Sequence, residues 1–259
     1  MQTIKETIPA LSSMKKYPST LFFSGNKELL KKTKISIVGT RKPSKYTREV
    51  TYKLASTLAK HSLCVVSGGA MGVDAIAHSG AGSKNTIAVL PCGIDIKYPA
   101  VNKSLLKSIE EEGLLLSQFE IGFKSRPWSF VTRNELVVAL GDVLIVCEAD
   151  LKSGSMRSVE YARTQGKKIF VLPHHLGESM ATNELLKSKK AEAIYDIDAF
   201  VAKFSDTKSA IQNTHSDAFL EFCKTSPSYD EALLKFPNKV FEAELNATIE
   251  IINGQVFLK

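Results

Sequence analysis

The sequence predicts an α/β fold: a parallel sheet covered by helices on both faces, followed by a small, winged-helix-like carboxyl-terminal domain. Three observations carry that prediction. Between Ile35 and Pro173, short apolar segments alternate with longer ones whose apolar residues recur at helical spacing, the pattern of βαβ units. The short segments are nearly continuous in apolar residues, as strands buried on both faces must be. After a polar stretch at 205–216, three short helical patterns precede Ile249-Glu-Ile-Ile-Asn-Gly-Gln-Val-Phe257, which reads as a hairpin about Asn253-Gly254. That order is the one expected of a winged helix.

In chain order, residues 1–34 form an amino-terminal extension packing on the main domain, with Leu21-Phe-Phe23 as a small strand or packing arm to which no chemistry is assigned. The main domain, 35–204, opens with strand Ile35–Val38. Val50, Leu54 and Leu58 set a helix over Thr47–His61. Strand Leu63–Val66, a helix from Met71 to Ala81 and strand Thr86–Leu90 follow. Val101, Leu105, Leu106 and Ile109 give a helix that Gly113 stops before strand Leu114–Ser117. A charged and aromatic loop spans Phe119–Phe130, then helix Val131–Leu140 leads to strand Asp142–Cys147. Helix Met156–Gln165 and strand Lys168–Pro173 complete the series, with closing helices Thr182–Ser188 and Ile197–Phe204 around a short strand Ala193–Tyr195. Residues 205–216 read as a linker, and 217–259 as the separate carboxyl-terminal domain.

The totals exclude several classes. No apolar run approaches the ~20 residues of a membrane span, and the first residues lack the apolar region of a signal peptide, so a cytoplasmic protein is expected. Cys64, Cys92, Cys147 and Cys223 show no paired spacing and read as buried apolar residues rather than as disulfides or metal ligands. The formal charge of +7 leans towards an anionic partner. Where the cations sit decides its meaning.

Right-handed crossovers place the carboxyl end of every parallel strand on one edge, so three polar or glycine-rich corners should converge there. The first is Gly39-Thr40-Arg41-Lys42, where glycine permits close approach and the cations suit phosphate. The second is Ser67-Gly68-Gly69-Ala-Met-Gly72, whose backbone N–H groups at a helix start suit an anion. The third is Ser153-Gly154-Ser155. The loop Lys124-Ser-Arg126-Pro-Trp128-Ser-Phe130 interleaves cations with aromatics, a combination that tracks a nucleic-acid backbone and stacks on unpaired bases; an aromatic loop plugging the core is the competing reading. Arg133 and Asn134 could bond phosphate or fix the neighbouring loops. Neither GxGxxG after the first strand nor a P-loop is present, which argues against dinucleotide and triphosphate chemistry. Asp74 and His78 share a helix face, as an acid/base dyad or a structural pair. His174-His175 lacks metal-site spacing and reads as a surface pair. No catalytic residue, metal or cofactor is assigned.

Val38-Gly-Thr-Arg41 with Pro43-Ser44, Ser67-Gly-Gly-Ala-Met-Gly-Val-Asp-Ala-Ile-Ala-His78, Tyr98-Pro99, Ser117, Phe130-Val-Thr-Arg-Asn134, Glu148-Ala149, Ser153-Gly-Ser155, Val171-Leu-Pro173 and Thr182-Asn-Glu-Leu185 together resemble the DNA-processing protein A (DprA/Smf) family over roughly residues 30–200. The chain departs from the family in Glu135, where arginine is frequent, in Gln118, where glutamate is usual, and in the histidines after Pro173, where glycine is usual. The resemblance implies an extended Rossmann-type domain that binds single-stranded DNA, forms a homodimer and hands transforming DNA to the RecA recombinase without catalytic turnover. The alternative is an enzyme resembling the nucleoside-monophosphate phosphoribohydrolases, with Asp74 or Glu148 as the acid.

Overall fold

In the computed structural model, residues 2–205, 218–236, 239–240, 243, 248–252 and 254–258 are described. The chain divides into two compact units, Met1–Asp206 and Thr207–Lys259.

The first unit is built on one sheet. Its strands are β1 (Gln2–Thr3), β2 (Phe22–Gly25), β3 (Lys34–Val38), β4 (Cys64–Ser67), β5 (Thr86–Val89), β6 (Leu114–Ser117), β7 (Val143–Val146), β8 (Ile169–Val171) and β9 (Glu192–Ala193). Their spatial order is β1-β2-β6-β5-β4-β3-β7-β8-β9. Strands β3 to β9 run parallel, while β2 pairs antiparallel with β6 and β1 with β2. The amino-terminal segment therefore lengthens the sheet, with Phe22 opposite Ser117. The order departs from β3 in both directions, so a topological switch lies between β3 and β7, where such sheets bind ligands.

The helices are α1 (Lys45–Lys60), α2 (Val73–Ala81), α3 (Lys103–Glu112), α4 (Pro127–Leu140), α5 (Gly154–Thr164), α6 (Met180–Lys187) and α7 (Ile197–Ala202). Alternate residues of each strand feed opposite faces. Ile35, Ile37, Val65 and Ile145 pack with Leu54 and Leu58 of α1, Val73 and Ala77 of α2 and Phe200 of α7. Val38, Val66, Val89 and Val146 pack with Leu136 and Leu140 of α4, Val159 of α5, Leu185 of α6, and Leu11 and Met14 of the amino-terminal segment. The β3 to β7 strands are buried along their whole length, which is why their sequences run apolar without alternation.

One boundary differs in a way that matters. The helix expected from Val131 begins at Pro127, with Arg126 as its cap residue. Proline at the first helical position forfeits an N–H that has no partner in any case, and Ser129 Oγ accepts the Arg126 N–H at 2.9 Å. Trp128 and Phe130 are thus presented by a rigid helical turn, not by a loop. The helix after Ser153 likewise starts at Gly154.

The second unit contains α8 (Ala218–Cys223), α9 (Tyr229–Lys235) and an antiparallel hairpin of β10 (Ile249–Ile252) and β11 (Gln255–Leu258). Phe219, Cys223, Ala232, Val240, Ile249 and Val256 form its core. Ser228 and Glu231 close a capping box on α9. The expected linker lies outside the described residues apart from Ser205, and of the third helical pattern, Val240–Leu245, only Val240 and Ala243 are described.

His78 is fully buried on α2. Its Nδ1 lies 2.7 Å from Thr86 Oγ1, and that hydroxyl donates to Val65 O. The hydroxyl proton is thereby committed, so Nδ1 carries the imidazole proton, and Nε2 has no partner among the described residues. Burial, helped by the Arg133 charge, pushes the imidazole down to about 3. The folded state therefore binds fewer protons than the unfolded state below the unfolded pKa near 6.5, and stability falls as pH drops through that range. We expect this group to remove up to ~1.4 kcal/mol per pH unit between about pH 6.5 and 3. Denaturant unfolding at pH 7, 6 and 5 should show a shallower pH dependence in His78→Asn, whose amide preserves a donor without titrating.

Candidate nucleic-acid interface

The corners after β3 and β4 and the start of α4 meet at the carboxyl edge of the sheet. Thr40 N–H donates to Glu148 O at 2.9 Å and Val73 N–H to Thr40 O at 3.1 Å, tying the first corner to the loop after β7 and to α2. Gly39 packs directly under Val73, leaving no room for a side chain. Arg41 and Lys42 are exposed and have no ion-pair partner among the described residues. The Arg41 guanidinium stands 5.7 Å from the centroid of the Phe130 ring, and Tyr98 meets the same ring edge-on at 5.8 Å. Arg41, Gly68, Ala70, Met71, Pro91, Tyr98, Pro99, Phe130 and Arg133 line one pocket.

The second corner is organised differently from expectation. The N–H groups of Gly68 and Ala70 donate to Asp74 Oδ2 at 3.1 and 3.4 Å. They are spent on the chain's own carboxylate and are not offered to a phosphate. Gly69 O and Ala70 O each accept from Asn102 Nδ2 at 3.0 Å, so the corner is gripped from both sides. Ser67 is buried and its hydroxyl donates to Ile37 O at 2.7 Å. Gly72 adopts φ +78° against the backbone of Thr40 and Arg41, a conformation and a contact that only glycine satisfies without strain.

Arg133, 4% exposed, lies against Gly68 and Asp74. Its Nη1 is 3.7 Å from Asp74 Oδ2 and 3.4 Å from Val89 O. A Cβ at position 68 would overlap the guanidinium, which gives this glycine a packing reason rather than a conformational one. Burial raises the Asp74 carboxyl above its ordinary range, opposed by Arg133 and the two N–H groups. Burial lowers Arg133, opposed by Asp74. Arg133 Nε is buried and has no hydrogen-bond partner among the described residues. Asn134, half-buried, follows on α4.

Beside the pocket, Phe119 and Phe123 stack at 4.7 Å and hold Trp128 edge-on at 5.7 and 5.6 Å. Trp128 keeps 53% of its surface exposed, so the core-plug reading fails for this ring. Lys124 and Arg126 are exposed just before it. None of Ser153, Gly154 and Ser155 lines this pocket; the Ser153 N–H donates to Asp150 O at 3.0 Å and Gly154 opens α5.

Other candidates are committed elsewhere. Asp74 and His78 bond the glycine corner and Thr86 respectively, not each other. Glu148 Oε2 accepts from Ser44 N and Ser44 Oγ at 3.0 and 2.9 Å. Partial burial raises this carboxyl, but bonds from Thr47 and Ser44 outweigh it and hold it below its usual range. His174 Nε2 lies 2.7 Å from Cys147 O and its ring meets Tyr46 edge-on, while His175 is exposed. Among the described residues no group of three or more His, Cys, Asp or Glu could hold a metal. The pocket volume, about 20 Å³, accommodates a phosphate oxygen or a base edge but is far below the ~300 Å³ of a site that encloses a small molecule. Asn102 was not legible as a site residue, because its amide acts only through backbone contacts distant in sequence.

The sequence model described as DNA recombination-mediator protein A matches residues 4–205. The chain belongs to that family. It is 32% identical over 189 residues to the DNA processing protein DprA of Bacillus subtilis, covering 71% of this chain and 64% of the relative. With Protein Smf of Synechocystis it shares 39% over 142 residues, 54% of this chain but 36% of that relative, so it spans about a third of that protein's length. The solved structure of DNA processing protein A from Helicobacter pylori, which concerns that protein's unique single-stranded DNA binding mode, aligns with a TM-score of 0.76 and 42% identity, covering 78% of this chain and 94% of that one. The structure of DprA from Streptococcus pneumoniae aligns at 0.72 and 32%, covering 79% and 74%. The sheet described above is the α/β, Rossmann-like fold of these relatives.

The two pocket arginines should separate cleanly in a stability measurement. Arg133→Met strands a buried carboxylate and should cost about 3–5 kcal/mol, whereas exposed Arg41→Ala should stay within about 0.5 kcal/mol of the parent. Urea denaturation of the three proteins reads the difference.

Proposed function

We propose that this protein binds single-stranded DNA in natural transformation, protecting incoming strands and presenting them to the RecA recombinase as a cytoplasmic homodimer, without turnover. The observation that carries the reading is the pocket where Arg41 is exposed over Phe130, with Tyr98, Met71 and Arg133 around it. An aromatic face beside unpaired cations suits a flexible strand whose bases are free to stack, at ~1–3 kcal/mol per base. The 42% identity to the Helicobacter pylori protein supports the same ligand.

In this reading Gly39 and Thr40 shape the first corner, Arg41 and Lys42 engage phosphate, and Lys124, Arg126 and Trp128 extend the surface. Ser67, Gly68 and Gly69 act by position, with Arg133 and Asn134 at the wall. Ser153, Gly154 and Ser155 would touch only a strand that continues past β7. Residues 35–204 with the packed 1–34 extension form the DNA-binding body, joined by 205–216 to a winged-helix-like domain, 217–259, suited to protein contact. Among the described residues no helix is long and apolar enough to cross a membrane.

Fluorescence anisotropy of a labelled single strand at several salt concentrations tests this. We expect tight binding that matched duplex competes for poorly, and a log–log salt slope of about −0.7 per phosphate contact. Arg41→Ala should weaken all sequences alike; affinity unchanged in that variant would sink the assignment.

A further inference from the structure

The amino-terminal segment to which the sequence assigned no chemistry is seated against the proposed interface. A short 3-10 helix, Pro9–Ser13, drives Leu11 into the core formed by Leu136 and Leu140 of α4, with Met14 beside it. Tyr17 Oη accepts the Ile8 N–H at 2.9 Å and closes the segment on itself. Lys15 N–H donates to Glu135 Oε1 at 3.0 Å, fixing this part of the chain on α4. Lys15 and Lys16 are exposed and have no ion-pair partner among the described residues.

Trp128, Val131, Thr132 and Glu135 stand at i, i+3, i+4 and i+7, so they share one face of α4. Trp128 is 53% and Val131 40% exposed. From Trp128 to Glu135 the helix rises about 10 Å, the reach of a few nucleotides. That face begins at the cations and stacked rings beside the pocket and ends at two unpaired lysines.

Resting on the single-strand reading above, we propose that Lys15 and Lys16 are a second phosphate-binding station, reached by a strand that leaves the Arg41 and Phe130 pocket and runs along α4 past Trp128. The Glu135 carboxylate would by itself repel a phosphate backbone. Its bond to the Lys15 N–H turns it into the anchor that brings two cations to the same place. A charged pair on a floppy tail would be solvated and diffuse; this pair is positioned by a buried leucine, a tyrosine hydroxyl and a backbone hydrogen bond.

The full chain and its Lys15→Gln, Lys16→Gln double variant are compared by anisotropy on a short oligomer, a dT dinucleotide too short to run from the pocket to the lysines, and on a long dT oligomer of about 20 nucleotides, which spans both stations. On the long oligomer the variant should bind about 10-fold more weakly at 0.1 M salt, with a salt slope shallower by about 1.4, the value for two single-strand phosphate contacts. Its affinity for the short oligomer should match the parent's. An unchanged slope on the long oligomer, or an equal loss on both lengths, overturns the second station while leaving the pocket intact. A parent protein that binds neither oligomer overturns the single-strand reading itself.

Discussion

Asp74 and Arg133 have left water together, and the carboxyl edge of the sheet is arranged around that fact. A buried carboxylate is tolerated only with hydrogen bonds and a countercharge, and here the N–H groups of Gly68 and Ala70 supply the first and Arg133 the second. The guanidinium needs space, which Gly68 provides by having no side chain. It also reaches Val89 O, so one ion pair joins the ends of β4 and β5 to α2 and α4. Asn102 holds the opposite side of the same corner.

This arrangement also decides what the edge can do. Carboxylates are the usual acids and bases of a hydrolytic site; here Asp74 Oδ2 accepts from the backbone of Gly68 and Ala70, and Glu148 Oε2 from the N–H and hydroxyl of Ser44. The groups left free are cations and aromatic faces: Arg41, Lys42, Lys124, Arg126, Trp128 and the upper side of Phe130. Such a set is suited to attracting anions and stacking on flat rings. The electrostatics divide the same way, with Arg133 buried in an ion pair and Arg41 exposed.

The amino-terminal segment contributes at two scales. Strands β1 and β2 extend the sheet past β6 in the antiparallel sense, and Leu11 and Met14 plug the face that α4 and α5 cover. A segment anchored by its apolar residues can hold its polar ones in fixed places, which is how lysines remote in sequence come to lie beside Glu135.

The sequence by itself determined the period and order of the elements, because strand and helix spacing are local properties of the chain. The parallel sheet, the helix stop at Gly113, the glycine corners and the exposed Arg41 were all legible from residues near one another. What only the tertiary structure decided were pairings between distant residues. Nothing local says that Asp74 fills the anion cradle of Gly68 and Ala70 or that Arg133 is buried beside it. Even the start of α4 at Pro127, signalled by a proline before a serine, was obscured by charges that resemble a loop. Glu135 shows the limit most clearly. In sequence it is one of several departures from the family pattern, and only the folded chain places Lys15 against it, since hydrogen bonds over 120 positions depend on which surfaces the core brings together.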